Sequence, residues 1–579
     1  MSEERHLVHS HAKEGEVPGT VDLRVAEGDD TAYGQALFPV PAEDPNDPLQ
    51  WPELKKSMIL VVCALYSFFG NSSLLGPSVY IGIYAEEFNV SAGAASNLIS
   101  YANLAFGFGS LILVPLYHKI GRRPVMLGSL LVYCVGLLGC TQCKSYGALM
   151  ACRVIHAFGS GVCEALPVQL VNDIFFLHER GKRLGYYTVC LCLGSTGPLY
   201  AGYMLAGGLS WRLFFWVEFA FAGALFLLAF FVVEETTYHR ESLSSSASPT
   251  PPALSPTTSN INEAEGDEGA AEKAVTKADA VTATATVTAT ATDANADADA
   301  DEAGSSSSSF GAAAVQPLPP RKSLMQQLKF WGVWERDSEF FLMMARSFTY
   351  FLVPQVLWVV TTYGIYIGLG ALTFNYIFPI KITAPPYNWS TTSSGLIAVA
   401  SLIGYVLAIP FTPSSDIIAA KLTRRNGGIR EAEMRLSAML PAMLMAPAGL
   451  IIFGFAAAKN LHWFAYFAGV VLTQFAGYFY FTFTLAYAMD SYNSNISEML
   501  IAMNLGKQAV SFGMGLDLLD WITENGYLKM IAGAFTGVLL ANNLVLLIFM
   551  LFGKRIRIFM SRTWLARLHT RSINQVATH

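Results

Sequence analysis

Apolar residues run along this chain in twelve long stretches separated by short polar breaks. A bilayer core needs about 20 largely apolar residues for each helix that crosses it. The stretches lie at 58–82, 94–117, 124–142, 147–171, 184–207 and 213–233, then at 353–378, 391–413, 436–457, 462–488, 497–520 and 527–552. The pattern predicts an all-α polytopic membrane protein built as two six-helix bundles. Its sections are an N-terminal tail (1–57), a first bundle (58–233), a linker (234–352), a second bundle (353–552) and a basic tail (553–579). The polar, acidic start lacks a basic region followed by a short apolar run, so no cleavable signal peptide is expected.

Composition agrees with that reading. Of the 579 residues 53% are hydrophobic and 14% charged, with a mean hydropathy of +0.40. Soluble globular domains carry about 25% charged residues, so this chain has too little charge to cover a water-facing surface of its size. The net charge of −6 points to no partner, because the acids sit mostly in the tail and the linker. No nucleic-acid partner is expected.

Loop charges set an orientation. Three connections hold Lys119, Arg122 and Arg123, then Arg180, Lys182 and Arg183, then Lys421, Arg424, Arg425, Arg430 and Arg435, and the last span is followed by Lys554, Arg555 and Arg557. The alternate connections hold little beyond Lys144, Arg212, Lys381, Lys459 and Lys529, beside Glu86 and Glu87. Lys and Arg near span ends favour the cytoplasm, which puts both termini there. The linker is rich in Ala, Thr, Asp and Ser over 282–309, too poor in large apolar groups to offset its ordering entropy, and is expected to be disordered. Short surface helices are expected near Arg240 and Trp331–Trp334.

The two halves repeat one loop chemistry. After the second span the chain reads His118-Lys119-Ile120-Gly121-Arg122-Arg123-Pro124, and after the eighth Asp416, Lys421, Arg424 and Arg425. The fourth span ends in Asp173 with Glu179 and Arg180 beyond it, and the tenth ends in Asp490. Carboxylates and basic pairs at neighbouring inner helix ends suit ion pairs that hold a cytoplasmic mouth shut. The alternative is ordinary positive loop residues.

Gly121-Arg122-Arg123, Arg153 with Gly159, and Gly194-Ser195-Thr196-Gly197-Pro198-Leu199-Tyr200-Ala201-Gly202 resemble signature motifs of the major facilitator superfamily. The last resembles the antiporter motif of its twelve-span drug:proton antiporter branch. Asp44-Pro45, Pro48-Leu49-Gln50-Trp51-Pro52, Phe175-Phe176-Leu177-His178-Glu179-Arg180-Gly181, Trp211-Arg212 and Glu235-Thr236-Thr237-Tyr238 are similar to the fungal part of that branch. The resemblance covers nearly all the chain outside the N-terminal tail and the linker. It implies a major facilitator fold and proton-coupled transport, with the fifth span packed on the eighth through Gly194, Gly197, Pro198 and Gly202. One departure is His118, where the family's first motif usually has Asp. His118 could make an inner gate sensitive to pH, or be an interfacial histidine.

Charges at membrane depth cost at least about 2.5–3.5 kcal/mol each on insertion scales, so they are candidates by default. Glu164 lies mid-way along the fourth span, eleven residues after Arg153. That is close to three helical turns and predicts a shared face. Glu164 is the first choice to bind a proton, a cationic substrate or each in turn. The alternative is a structural Glu bonded to a neighbouring helix. Lys507, in the eleventh span, pairs with a carboxylate or meets an anionic substrate. Glu218 and Asp517 are read as rim charges nearer the outer surface. Asn71, Tyr363, Asn375 and the aromatic tenth span, with Tyr478, are further candidates for a substrate cavity, since aromatic walls suit flat or cationic ligands.

No nucleotide-binding loop is present, so ATP held by this chain is not the energy source. No cofactor, metal or enzymatic activity is expected. The eight cysteines read as apolar packers, Cys140 and Cys143 included. Asn89-Val90-Ser91 and Asn388-Trp389-Ser390 are sequons in outer loops. The function expected is proton-driven export of a small organic molecule by a monomer at the plasma membrane, in contact with lipid. Uptake of an organic cation such as a polyamine is the alternative, and a nontransporting nutrient receptor a remote one.

Overall fold

The computed structural model describes residues 20–22, 44–238, 322–331, 334, 339–492 and 495–577, with the side chains of 177–182, 207, 324 and 571–577 outside the description. The expectations of disorder over 282–309 and of a helix near Arg240 fall on residues outside it, as do the side chains of Glu179 and Arg180. Trp331 and Trp334 are not helical. The helical pieces near them are Leu324–Gln327 and Phe340–Thr349.

Among the described residues, helical segments follow each of the apolar stretches. Among the described residues nine helices are long and apolar enough to cross a membrane, from Glu53–Glu87 to Leu528–Ser561. The fourth span falls outside that set because it is broken, and the fifth, helical over Leu177–Tyr203, because its glycines, tyrosines and hydroxyl residues make it less apolar. The eleventh, Ile496–Gly515, falls outside it because it carries Glu498, Asn504, Lys507 and Gln508. Helix starts are fixed by local chemistry. Ser91 caps Ala92–Ile120 by accepting from the Ala94 amide at 3.1 Å, and Asn495 caps Ile496–Gly515 through Ser497. The second span reverses into the third at the single residue Gly121, whose φ of +98° suits glycine.

Small residues set the packing in the first bundle. A Cβ on Gly161 would overlap the Phe106 carbonyl and come within 2.7 Å of the Gly109 Cα. The second and fourth spans therefore meet backbone to backbone, as lipid-embedded helices do where small residues allow close approach. Burial separates centre from periphery. The apolar windows of the second and seventh spans are 78% and 83% buried, those of the sixth and twelfth only 28% and 33%. The last two are the outer walls.

Among the described residues, segments near the two ends of the chain meet on one face. Thr20–Asp22 pairs antiparallel with Ile429–Glu431, between the eighth and ninth spans. Arg557, near the end of the twelfth-span helix Thr536–Ser561, donates to the Thr20 hydroxyl (3.1 Å) and pairs with Glu431 (2.6 Å) and Glu433 (2.7 Å). This is the terminal face.

The C-terminal helix Trp564–Ala577 is anchored there by His569. Its ring stacks on Tyr350 at 3.9 Å and bonds to Thr349 and Tyr492, each at 2.8 Å. Burial first, and then the Arg346 charge, lower its pKa to about 4. The docked state thus holds the neutral ring, against an ordinary histidine value of about 6.5. The anchoring is complete above that value and is lost as pH falls towards 4. Amide hydrogen exchange of 564–577 is expected to accelerate over that window, and His569→Gln to abolish the pH step.

Candidate functional site

The fourth span is two helices, Tyr146–Ser160 and Leu166–Ile174, with a non-helical turn over 161–165. Pro167 accounts for the break. It has no N–H to offer the carbonyl four residues back, that of Cys163. Ser67 takes that carbonyl at 2.6 Å and Tyr187 at 3.2 Å, while Tyr187 also donates to the Glu164 carbonyl (3.0 Å) and Ser110 to that of Gly161 (2.7 Å). Neighbouring spans thus satisfy the freed backbone, which irregular structure at membrane depth requires.

Glu164 sits in this turn. The eleven-residue phase that predicted a face shared with Arg153 therefore does not apply. Arg153 is a staple: its guanidinium donates to the carbonyls of Ser73 (2.7 Å), Leu74 (2.8 Å) and Leu98 (3.3 Å) and contacts His156 at 2.9 Å. Glu164 instead forms an ion pair with Lys507 of the eleventh span. Their side chains are 9% and 5% exposed, so the pair is nearly desolvated. It also bridges the two bundles. The Tyr363 ring lies 5.8 Å from the Lys507 ammonium.

The pair lines a cavity between the bundles, of about 620 Å³ counting its open side. Asn71 lines it, as do Asn103 and Gln508, together with Tyr366, Tyr405 and Phe481. Three expected contacts are not among its lining residues. Tyr363 turns its hydroxyl to the Phe481 carbonyl. Asn375 returns its amide to the Ala371 carbonyl at 2.8 Å, and Tyr478 bonds Thr412 at 2.8 Å. Of the aromatics lining the cavity, Tyr366 and Tyr405 both donate to the Gln474 side chain, Tyr405 at 2.7 Å. Sequence reasoning missed Asn103 and Gln508. Gln508 follows Lys507 directly, and Asn103 is a lone amide in an apolar stretch.

At the terminal face the acid–base pairs exist but lie within each bundle. In the first, Arg122 pairs with Asp173 at 3.1 Å and donates to Thr237 at 2.7 Å, and Thr236 donates to Asp173 at 2.9 Å. In the second, Arg435 takes the role expected of Arg425. It pairs with Asp490 and, at 3.0 Å, with Asp416, while Arg425 is exposed. Arg123 turns to the carbonyls of Val233 (2.5 Å), Phe230 (2.7 Å) and Gln327 (2.9 Å). The His118 ring lies 4.6 Å from that of Tyr117, tilted by 43°. Glu235 accepts from the Arg122 and Arg123 amides at 3.0 and 3.1 Å, at the positive end of the third span. These contacts knit helix ends within a bundle. Between the bundles Ser497 of the eleventh span donates to the Gln169 side chain of the fourth at 3.4 Å, and the ion pair that crosses, among the described residues, is the deeper Glu164–Lys507 pair.

The small-residue segment of the fifth span works on two neighbours. Gly194 and Gly197 press on the first span, at Phe68 and Ser72, whereas Pro198 and Gly202 press on Gly395 at the start of the eighth. Asn89 and Asn388 occupy equivalent loops of the two bundles, both exposed and left-handed, with φ of 52° and 50°. The serine of each sequon stands at the start of the next helix.

Comparison with known proteins agrees with this architecture. The family model described as Major Facilitator Superfamily matches residues 60–515. An uncharacterized MFS-type transporter of Schizosaccharomyces pombe is 24% identical over 93% of this chain and 90% of its own length. Protein HOL1 of Saccharomyces cerevisiae is 25% identical over 93% of each, and a probable efflux pump of Aspergillus flavus is 23% identical over 76% of this chain and 89% of its own. Among solved structures, the xylose transporter XylE of E. coli, in a partially occluded inward-open conformation, superposes with a TM-score of 0.51 at 12% identity. It covers 86% of this chain and 98% of the transporter. With two six-helix bundles around a central cavity that holds a buried ion pair, and a family match over most of its length, the chain belongs to the major facilitator superfamily of membrane transporters.

Proposed function

We propose that this protein is a proton-coupled secondary transporter that exports a small organic molecule by alternating access, with Glu164 and Lys507 as its substrate-exchange site. The observation that carries the reading is the ion pair itself, nearly desolvated and contributed by both bundles to one cavity. A carboxylate and an ammonium in contact satisfy each other when the cavity is empty. A ligand with a cationic group competes with Lys507 for Glu164, and an anionic group competes for Lys507. Either exchange unties the bundles, which is the step alternating access needs. The fifth span, close against both the first and the eighth, supports rocking at that seam.

The positive loops and the convergence of both termini support cytoplasmic ends at a cell-limiting membrane. Asn89 and Asn388 would then face outside as glycosylation acceptors. Because Glu164 lines the cavity, uptake of an organic cation such as a polyamine is the second reading. Untargeted metabolite profiles of cells and medium, with and without the gene, separate the two. Export leaves a compound trapped inside the deletion strain and missing from its medium, and uptake gives the reverse. Flux of that compound into vesicles holding the purified protein should follow an imposed pH gradient, and its sign fixes the direction. Unchanged profiles and no flux would contradict transport.

A further inference from the structure

The sixth span carries a second carboxylate, Glu218, that the sequence reading left at the rim. It is fully buried (0% exposed). The groups around it come from three spans. Ser72 of the first donates to Oε1 at 3.0 Å, Tyr200 of the fifth donates to the same oxygen, and Tyr133 of the third reaches Oε2 at 3.4 Å. Tyr80 of the first span lies close by and donates to the Ala201 carbonyl at 2.7 Å. Among the described residues no Lys, Arg or His lies within ion-pair distance of Glu218. The Arg153 guanidinium of the fourth span is directed at backbone carbonyls. The carboxyl is therefore surrounded by hydroxyls, in contrast to the Glu164–Lys507 pair.

Hydroxyls can serve both protonation states. Ionised, Glu218 accepts from Ser72, Tyr200 and Tyr133. Protonated on Oε2, it donates to the Tyr133 oxygen, and the Tyr133 hydroxyl donates in turn to the Phe69 carbonyl, already within 3.0 Å. No group is left orphaned in either state, so the proton exchanges without an unpaired polar atom in the bundle. We propose that Glu218 is the carboxyl that carries the driving proton, leaving Glu164 and Lys507 to the substrate. The proposal rests on the proton-coupled reading above. The link to motion is Tyr200. It belongs to the small-residue segment that presses on Gly395, and Ser72 adjoins the cavity residue Asn71. Gain or loss of the Glu218 charge thus changes how the fifth span is tied to the first, next to the seam on which the bundles rock.

The test uses the full-length protein in liposomes and needs no substrate. Infrared difference spectra between acid and alkaline buffers are expected to show a protonated-carboxyl band that titrates within the physiological range. Glu218→Gln removes it, Glu218→Asp keeps one, and Glu164→Gln leaves it in place. In Tyr133→Phe, which deletes a donor to the anion, the band persists to higher pH. Thermal unfolding of each variant confirms that it is folded. A band that survives Glu218→Gln, or a carboxyl whose state never changes across the range, overturns the proposal. The flux assay of the preceding subsection is read separately. Gradient-driven flux in the wild type and undiminished in Glu218→Gln overturns Glu218 alone, whereas flux indifferent to the gradient in the wild type removes proton coupling itself.

Discussion

Lys507→Ala is expected to destabilise the protein by about 3–5 kcal/mol, the usual cost of stranding one member of a buried ion pair. The pair is nearly free of water, so the Glu164 carboxylate would be left with cavity amides such as Asn71, Asn103 and Gln508 as its polar surroundings. Glu164→Gln strands the ammonium instead and is expected to cost a similar amount. The double change Glu164→Gln with Lys507→Met removes both charges and should recover most of the loss, because a buried pair contributes little net stability against a well-packed neutral substitute. Thermal and denaturant unfolding of the four proteins in one lipid or detergent measures the coupling. Transport should not recover with stability. All three variants are expected to be inactive, since each lacks the site where ligand and side chain exchange.

Gly395→Ala is the second large effect. A Cβ there would overlap the Pro198 carbonyl, and the atoms around it are backbone, which has little room to yield. Overpacking of this kind costs about 1–3 kcal/mol. The larger consequence is functional, because the collision lies between the fifth and eighth spans, on opposite sides of the seam. Flux is expected to fall by more than the stability change accounts for. Gly128→Ala is the control. It is helical, has open space around its Cβ, and should stabilise by about 0.5–1 kcal/mol as glycine to alanine does in a helix, with flux unchanged.

The spans were legible because hydropathy averages over many residues, so single errors cancel. The first apolar stretch, 58–82, lies inside Glu53–Glu87, and the tenth, 462–488, is nearly Trp463–Ser491. What failed was anything that depends on direction around a helix. Glu164 and Arg153 have the spacing of a shared face, but the break that Pro167 imposes over 161–165 leaves Glu164 in a turn, and the phase is lost. The signal was present in Pro167 and was outweighed by the apolar run. Glu218 lies only six residues past Arg212, a depth that reads as rim. It is buried because the first, third and fifth spans close over it, and depth along one helix carries no such information.

The acid–base contacts at the helix ends were legible in kind and not in partner. Arg122 and Asp173 meet as the loop chemistry implied, while Arg435 displaces Arg425 beside Asp416 and Asp490. The Arg424-Arg425 pair ends an exposed helix, and the chain must turn through Gly427 and Gly428 before an arginine faces inward. The pairing of Thr20–Asp22 with Ile429–Glu431 was beyond reach, since strands of three residues carry almost no periodicity.

The claim on which the rest depends is that the Glu164–Lys507 pair holds the two bundles together while the cavity is empty. Double electron–electron resonance between labels at Tyr186 of the fifth span and Ile417 beyond the eighth, both exposed near the terminal face, tests it in the full-length protein. With the pair intact the distance distribution should be a single narrow population. In the variant carrying both Glu164→Gln and Lys507→Met a second, displaced population should appear. Identical distributions in the two proteins would contradict the account.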